Sequence, residues 1–278
     1  MKKTLLSFAA SIGILIMSAP TQAAPLYVQG KSGAKQHVPC GLGLVENNLF
    51  KRANFERARV QAGHVKITFV GHSTFMMETT NGVAASTDYA GLQTPDRIPD
   101  IVTMNNSHSS HYTEFLDPKI KHFLRGWDPA GGLARHHLKV KDLRIYNLPT
   151  NIFNFSKGAI NGNSIFVFDA GGICMAHLGH LHHFLSKEQV AHLGRIDVFY
   201  VPIDGVNTLS YEEALHIIGQ INPRIIMPMH LSAFGEADAF PARAGQRYKV
   251  KFLNKDNVVL NRSMLPVKTE VWFLTEKF

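Results

Sequence analysis

The stretch from Ile67 to Phe75 reads Ile-Thr-Phe-Val-Gly-His-Ser-Thr-Phe, two strand-like apolar runs on either side of a Gly-His-Ser turn. The second run continues to Glu78, and an Asn-Gly step at 81–82 separates it from a further apolar run over 83–87. Asn-Gly between apolar runs is a strong hairpin signal. The stretch therefore predicts that the folded domain opens with antiparallel strands.

Further strand patterns extend to the end of the chain. They fall at Ile101–Asn105, Lys121–Leu124, Leu138–Tyr146, Ser164–Ala170, Ile173–Ala176, Val198–Pro202, Ile225–Pro228 and Val271–Phe273.

Helical patterns occur only in the second half of the chain. Ser186 can cap a helix over 187–192, and Ser210 forms a capping box with Glu213 for a helix over 211–221, which Asn222-Pro223 ends. Strands first, then strands alternating with helices, predict an α/β fold of two mixed sheets packed together with helices outside. A doubly wound nucleotide-binding fold is disfavoured because no glycine-rich turn joins the first strand to a helix.

The first residues have the pattern of a secretory signal. Lys2 and Lys3 precede an apolar run from Leu5 to Met17, and small residues around Ala23 offer a cleavage site. We predict a signal peptide over 1–24, an N-terminal arm over 25–63 and one folded domain over 64–278, in the periplasm or secreted. A retained anchor is the alternative. No later run of about 18 apolar residues predicts an integral membrane segment.

The charge distribution limits the partners. The formal net charge is +8, or +6 without Lys2 and Lys3, and the basic residues are scattered. Without a Lys/Arg stripe interleaved with aromatics, no nucleic-acid partner is predicted, and a small-molecule substrate, preferably anionic, fits better. The oligomeric state is left open.

The chain has two cysteines, Cys40 and Cys174. An oxidising compartment would let them pair, whereas the apolar run around Cys174 also suits a buried free thiol. Neither spacing suggests a cysteine metal site.

Histidines are unusually frequent, at 15 in 278 residues. Three segments that follow predicted strands each carry them, and loops at strand ends are where a scaffold exposes functional groups. The candidates are His108 and His111, His177 and His180, and His230.

These segments resemble the motifs of the metallo-β-lactamase superfamily, in the branch that includes ascorbate-phosphate lactonases and N-acyl-phosphatidylethanolamine phospholipase D. Residues 67–75 resemble its opening strand pair, 106–111 its H-x-H-x-D-H motif, 176–180 its H-x-G-D segment, and 227–230 the segment of its last ligand histidine. The resemblance implies an αββα sandwich of two mixed β-sheets, with a zinc-type site at one edge between the sheets.

The acidic ligands of that family are absent. Asn106 stands at the first histidine position of the motif, Ser110 at its aspartate, and His180 at the bridging aspartate. Two dications close together repel strongly without carboxylates between them. We therefore predict one zinc, or another divalent transition metal, held by three or four of the candidate histidines. The candidate ligand positions are Asn106, His108, His111, His177, His180 and His230.

Three further residues are candidates for catalysis. His72 could donate to substrate or fix the turn at Gly71, and Ser110 could hydrogen-bond weakly to the attacking water. Asp204 could support a ligand histidine or form a turn before Gly205. Trp127 and the aromatics at 153–155 could line a substrate groove or belong to the core.

Two functions are consistent with these residues. The first is an exported hydrolase in which a metal-bound hydroxide attacks an ester, lactone, amide or phosphodiester. The alternative is a catalytically silent protein of the same fold that binds a metal or small ligand, because loss of every acidic ligand is what such a history would leave.

Overall fold

The computed structural model describes residues 37–41, 60–153, 158–231 and 239–277, and two mixed β-sheets packed face to face dominate it. The six-stranded sheet has the order β13-β1-β2-β3-β4-β5. Its strands are β1 His64–Gly71, β2 Thr74–Thr79, β3 Ala84–Ser86, β4 Ile101–Met104, β5 His122–Arg125 and β13 Asn257–Asn261.

The second sheet has eight strands in the order β12-β14-β11-β10-β9-β8-β7-β6. Its strands are β6 His137–Val140, β7 Leu143–Phe153, β8 Gly158–Ala170, β9 Ile173–His177, β10 Val198–Pro202, β11 Ile225–Met229, β12 Lys249–Phe252 and β14 Glu270–Phe273.

The described helices are α1 Lys187–Leu193, α2 Tyr211–Ile221 and α3 Ala239–Ala244, with a 3₁₀ turn at Arg262–Met264. The predicted capping box is confirmed: the Ser210 hydroxyl accepts from the Glu213 N–H, and the Glu213 carboxylate accepts from the Ser210 N–H. α2 ends at Asn222 in a left-handed cap. None of the described helices is long and apolar enough to cross a membrane.

The core lies between the sheets. Along β1 the side chains alternate, so that Val65, Ile67 and Phe69 point inward, as a sheet with one buried face requires. Phe69 stacks on Phe75 at 4.6 Å between ring centroids, and Phe75 lies 4.3 Å from Tyr200 of the other sheet. The described residues from Val38 onward form one compact unit. The predicted sandwich of two mixed sheets is confirmed.

Strand direction decides where the polar loops emerge. In the first sheet β3, β4 and β5 are parallel, and in the second β9, β10, β11, β14 and β12 are parallel. Parallel strands present their carboxyl ends at a common edge, the usual place for ligands in such sheets. The loops after β1, β3, β4, β9, β10 and β11 bring together the residues of the candidate site.

Several segments differ from the sequence prediction. Leu138–Tyr146 is not one strand, because Lys141 takes a left-handed conformation (φ 50°) and turns the chain into the β6–β7 hairpin. The prediction also missed β12, β13 and α3, which are short and partly exposed.

Cys40 and Cys174 form a disulfide, with 6.0 Å between their Cα atoms. It attaches the segment 37–41 to β9. The Tyr146 hydroxyl accepts from the Cys40 N–H and donates to the Leu193 carbonyl, which holds the same segment on the second sheet. Of the two alternatives left open by the sequence, the structure has the bridge.

Candidate metal centre

Three histidines from three separate loops meet at the edge of the sandwich. One ring nitrogen each from His72, His111 and His230 lies within 4.8 Å of the other two. The ring centroids are 4.4 Å apart for His72 and His230, which stack, and 5.3 Å apart for His111 and His230. Convergent imidazoles of this kind are the commonest protein ligands for transition metals.

His72 and His230 reach this point through unusual backbone. Both are left-handed, with φ values of 52° and 61°, and the His230 N–H donates to the His72 carbonyl at 2.8 Å. Left-handed backbone is uncommon for residues other than glycine and clusters at functional sites. The loops after β1 and β11 are thus joined to each other where their histidines stack.

A buried carboxylate orients His111. Its Nδ1 donates to Asp88 Oδ2 at 2.5 Å, and the Asn105 N–H donates to the other carboxylate oxygen. Burial alone would raise the pKa of Asp88, but the charge and hydrogen bond of His111 outweigh it and hold this pKa well below its usual range. Because Nδ1 is engaged, Nε2 is the nitrogen that His111 offers to a metal.

Asp204 does the same for His230, whose Nδ1 donates to Asp204 Oδ2 at 2.8 Å. The other oxygen of Asp204 accepts the N–H groups of Val206, Asn207 and Thr208, so it also shapes the loop after β10. Burial again opposes ionisation, but the His230 hydrogen bond and charge lower the pKa of Asp204 below its usual range. Asp204 therefore both orients a cluster histidine and shapes a turn, the two roles that the sequence left open.

The geometry fits a metal ion. The Nε2 atoms of His72 and His230 are buried and have no hydrogen-bond partner within the described residues. Burial, followed by the charges of His230 and His111, lowers the pKa of His72 to about 4, so its ring is neutral at pH 7. Neutral imidazoles with a free nitrogen, held by carboxylates through the other nitrogen, are the usual arrangement around protein-bound zinc.

His180 lies beside this cluster, with its ring 4.8 Å from that of His111 and 6.5 Å from that of His230. Its Nδ1 is buried without a partner in the described part of the chain. Burial, then the charge of His111, lowers the pKa of His180 to about 3. His182, at 4.8 Å from His180, also has an unpartnered buried nitrogen. An uncharged pair of rings therefore borders the candidate site.

His108 and Ser110 lie at the rim. The exposed His108 ring is 5.9 Å from His111, and its Nδ1 is 2.8 Å from the Ser110 hydroxyl. Ser110 thus contacts His108 rather than the centre of the cluster.

Of the six predicted ligand positions, His111 and His230 belong to the cluster and His108 and His180 lie beside it. The remaining two positions point elsewhere. His177 is fully buried, its Nε2 lies 2.8 Å from the Ser73 carbonyl, and its Nδ1 is within hydrogen-bond distance of Asn105 Nδ2 and the Gly179 N–H. Both ring nitrogens are therefore satisfied by protein, and burial lowers the pKa of His177 to about 4. Its assignment as a ligand was wrong.

Asn106 is the second such residue. Its amide donates to the Gly162 carbonyl, and its side-chain oxygen accepts the His108 N–H, so both ends of the side chain hold the loop. The structure corrects its role from ligand to loop support.

Asp88 was missed by the sequence analysis, and His72 was expected in a different role. Asp88 lies two residues after the end of β3, as the histidine segments follow their strands, so a polar residue close to a strand end was the available signal. Its left-handed φ of 47° is not visible in the sequence.

Two mixed sheets with a carboxylate-supported histidine site at their common edge define the metallo-β-lactamase class of fold. The model of the beta-lactamase superfamily domain matches residues 66–230, and the chain belongs to this family.

Relatives of similar sequence occur in archaea. A UPF0173 protein of Pyrococcus abyssi is 27% identical over 209 residues, covering 69% of this chain and 96% of the relative. A UPF0173 metal-dependent hydrolase of Pyrococcus furiosus is 23% identical, covering 68% of this chain and 96% of its own length.

Solved structures are similar to this one. A Thermotoga maritima protein described provisionally as a zinc-dependent hydrolase of the metallo-beta-lactamase superfamily has a TM-score of 0.55 and 27% identity, covering 76% of this chain and 98% of its own. Igni18, a metallo hydrolase of Ignicoccus hospitalis, has a TM-score of 0.52 at 18% identity, covering 71% of this chain and 99% of its own, and shares the fold.

Proposed function

We propose that the chain is an exported hydrolase that holds one zinc ion between His72, His111 and His230 and acts on an ester, lactone, amide or phosphodiester of a small anionic molecule. The observation that carries the proposal is the convergence of three imidazole nitrogens within 4.8 Å, two of whose rings are oriented by buried carboxylates. Relatives named metal-dependent hydrolases support hydrolysis as the reaction.

The donor set favours one zinc ion. Imidazole nitrogens suit zinc, whereas magnesium and calcium prefer oxygen ligands. Asp88 and Asp204 are committed to His111 and His230, and Ser110 and His180 are uncharged. No carboxylate among the described cluster residues remains to shield a second dication from the first.

When bound, zinc supplies the Lewis acid that activates water and polarises the scissile group. The protein supplies orientation and hydrogen bonding around it. Asp88 and Asp204 keep the ligand rings in one tautomer, and the neutral His180 offers a buried ring nitrogen beside His111 for a hydrogen bond to water or substrate. His182 lies next to His180, with 4.8 Å between their ring centroids.

Export is supported by two features. Residues 1–24 have the charge and hydropathy pattern of a signal peptide, and the buried Cys40–Cys174 disulfide is typical of proteins from oxidising compartments.

Hydrolysis of a panel of chromogenic esters, lactones, amides and phosphodiesters by the zinc-loaded mature chain tests the proposal. His230→Ala should reduce zinc content and activity to background. His64→Ala is the matched control, because His64 lies at the start of β1, at the opposite end of this strand from the cluster residue His72. This variant should retain zinc and activity. A wild-type protein that holds stoichiometric zinc but hydrolyses no member of the panel would instead be a silent binding protein.

A further inference from the structure

A cleft of about 270 Å³ lies beside β5, the edge strand of the six-stranded sheet. One part of its lining is apolar and the other is polar. The apolar side chains are Phe123, Trp127 and Leu133, and the polar ones are Arg125, Asp128 and His136. Phe123 and Leu133 are about half exposed, at 52% and 46%. The cleft thus combines an apolar surface open to solvent with one guanidinium.

Arg125 has no anionic partner among the described residues. Its Nε is buried without a hydrogen bond, and none of the ion pairs within these ranges includes it. Its guanidinium carbon lies 5.8 Å from the centre of the Phe123 ring. Buried donors in native proteins are nearly always paired, and an unpaired charged donor is costly. The guanidinium is therefore available to an anion that enters from outside.

The other polar residues of the cleft are already engaged. His136 Nε2 lies 2.6 Å from the Arg125 carbonyl, and Asp128 Oδ1 accepts the Ala130 N–H. Asp128 nevertheless brings one negative charge to the lining. With one cation and one nearby anion, the cleft favours a ligand of single negative charge over a dianion. A carboxylate matches the guanidinium with two parallel hydrogen bonds.

A short segment of chain links the cleft to the histidine cluster. Arg125 pairs in register with Met104, the last residue of β4, and the loop that carries His111 begins one residue later. The Trp127 ring lies 5.2 Å from that of Tyr112, which follows His111 directly. The cleft and the loop that carries His111 thus lie at the same side of the six-stranded sheet, where β4 and β5 end.

We propose that this cleft binds a carboxylate carried on a flat apolar group of the substrate, with the carboxylate on Arg125 and the apolar group against Phe123, Trp127 and Leu133. This inference rests on the proposed function, because it places the cleft next to the bond that is cleaved. It narrows the substrate class to esters, lactones or amides that carry a carboxylate on an aromatic or similarly flat group.

Binding of 2-naphthoate to metal-free protein, measured by titration calorimetry or NMR, tests the cleft independently of catalysis. Wild type should bind 2-naphthoate more tightly than uncharged 2-naphthamide or dianionic 2-naphthyl phosphate. Arg125→Gln should weaken 2-naphthoate binding by about 10-fold or more. Arg125→Lys should weaken it by less, because lysine keeps the positive charge but loses the two parallel N–H donors of the guanidinium. Arg247→Gln is the matched control, because Arg247 lines a separate cleft at the opposite ends of the parallel strands.

The outcomes separate the two proposals. Equal 2-naphthoate affinity in wild type and Arg125→Gln, or binding only when zinc is present, would contradict the proposed carboxylate site in the cleft. Neither result would bear on the proposed metal centre. Binding of 2-naphthoate at Arg125 by a protein that hydrolyses no member of the chromogenic panel would overturn the proposed function alone. If hydrolysis occurs, Arg125→Gln should lower kcat/KM for the carboxylate ester about 10-fold and leave its neutral analogue unchanged. Equal losses for both would exclude a substrate role for the cleft.

Discussion

Two histidine–carboxylate pairs determine which nitrogens the site presents. The Nδ1 atoms of His111 and His230 donate to Asp88 and Asp204, so their Nε2 atoms are left for a metal. Such carboxylates fix the ring orientation and raise the basicity of the ligand. Their negative charges would also stabilise a dication bound by the three histidines.

Asp88→Asn should therefore weaken zinc binding by about 10- to 100-fold, the usual effect of removing such a partner. The amide keeps the size of the side chain but loses its charge. Zinc affinity from competition with a chelator is the measurement. Asp169→Asn is the control, because Asp169 is a partly buried carboxylate paired with Arg144 in the β7–β8 hairpin. Equal affinities for Asp88→Asn and wild type would show that the pair does not support the metal.

His177 contributes to the pH dependence of folding. Its folded pKa of about 4 lies below the ordinary value of 6.5, so between these pH values the unfolded chain binds a proton that the folded chain does not. The stability of metal-free protein should thus be highest above pH 6.5 and fall as the pH drops toward 4, by about 3 kcal/mol from this group. Urea unfolding of His177→Gln should show a shallower pH slope than wild type; an unchanged slope would contradict this account.

For two histidines, their position after a predicted strand was enough to predict where they lie in the fold. Histidines at strand ends identified His111 and His230 as members of the cluster. His177 satisfied the same pattern, but its ring turns to the Ser73 carbonyl, 104 residues away in sequence. Which partner satisfies a ring nitrogen depends on tertiary contacts that no local pattern contains.

At the scale of the elements, local signals predicted α1, α2 and the interior strands, but not the short α3. α2 begins and ends where its capping box and Asn222-Pro223 place it. β13 was missed because its pairing with β1 joins residues nearly the whole domain apart, for example His64 with Asn261. Its own pattern is weak, since only two of its five residues are buried.

The disulfide is the one covalent link between these elements, and it closes a loop across a sequence separation of 134. A cross-link that closes so long a loop restricts the unfolded chain, and its loss should cost about 2–5 kcal/mol. Reduction should therefore lower the urea midpoint of wild type. The Cys40→Ala/Cys174→Ala double variant should have a lower urea midpoint than oxidised wild type, and reductant should not change it. Zinc affinity should stay the same, because neither cysteine neighbours a cluster histidine. A wild-type midpoint insensitive to reduction would contradict this prediction.

At the scale of the whole molecule, the two-sheet fold brings residues that are far apart in sequence to one edge. His72, Asp88, His111, Asp204 and His230 come from five loops, and parallel strands deliver four of these loops to one edge. The two-sheet fold could be predicted because the apolar periodicity of the strands and the order of strands and helices are visible in the sequence. The exact ligand set could not, because it depends on left-handed residues that aim rings across a gap between loops.

The most direct test of the metal centre is the zinc content of purified mature protein, combined with X-ray absorption at the zinc edge. We predict one zinc per chain with nitrogen ligands at about 2.0–2.1 Å, lost in His72→Ala and retained in His177→Gln. Two zinc ions per chain, or metal lost in His177→Gln and kept in His72→Ala, would contradict the account.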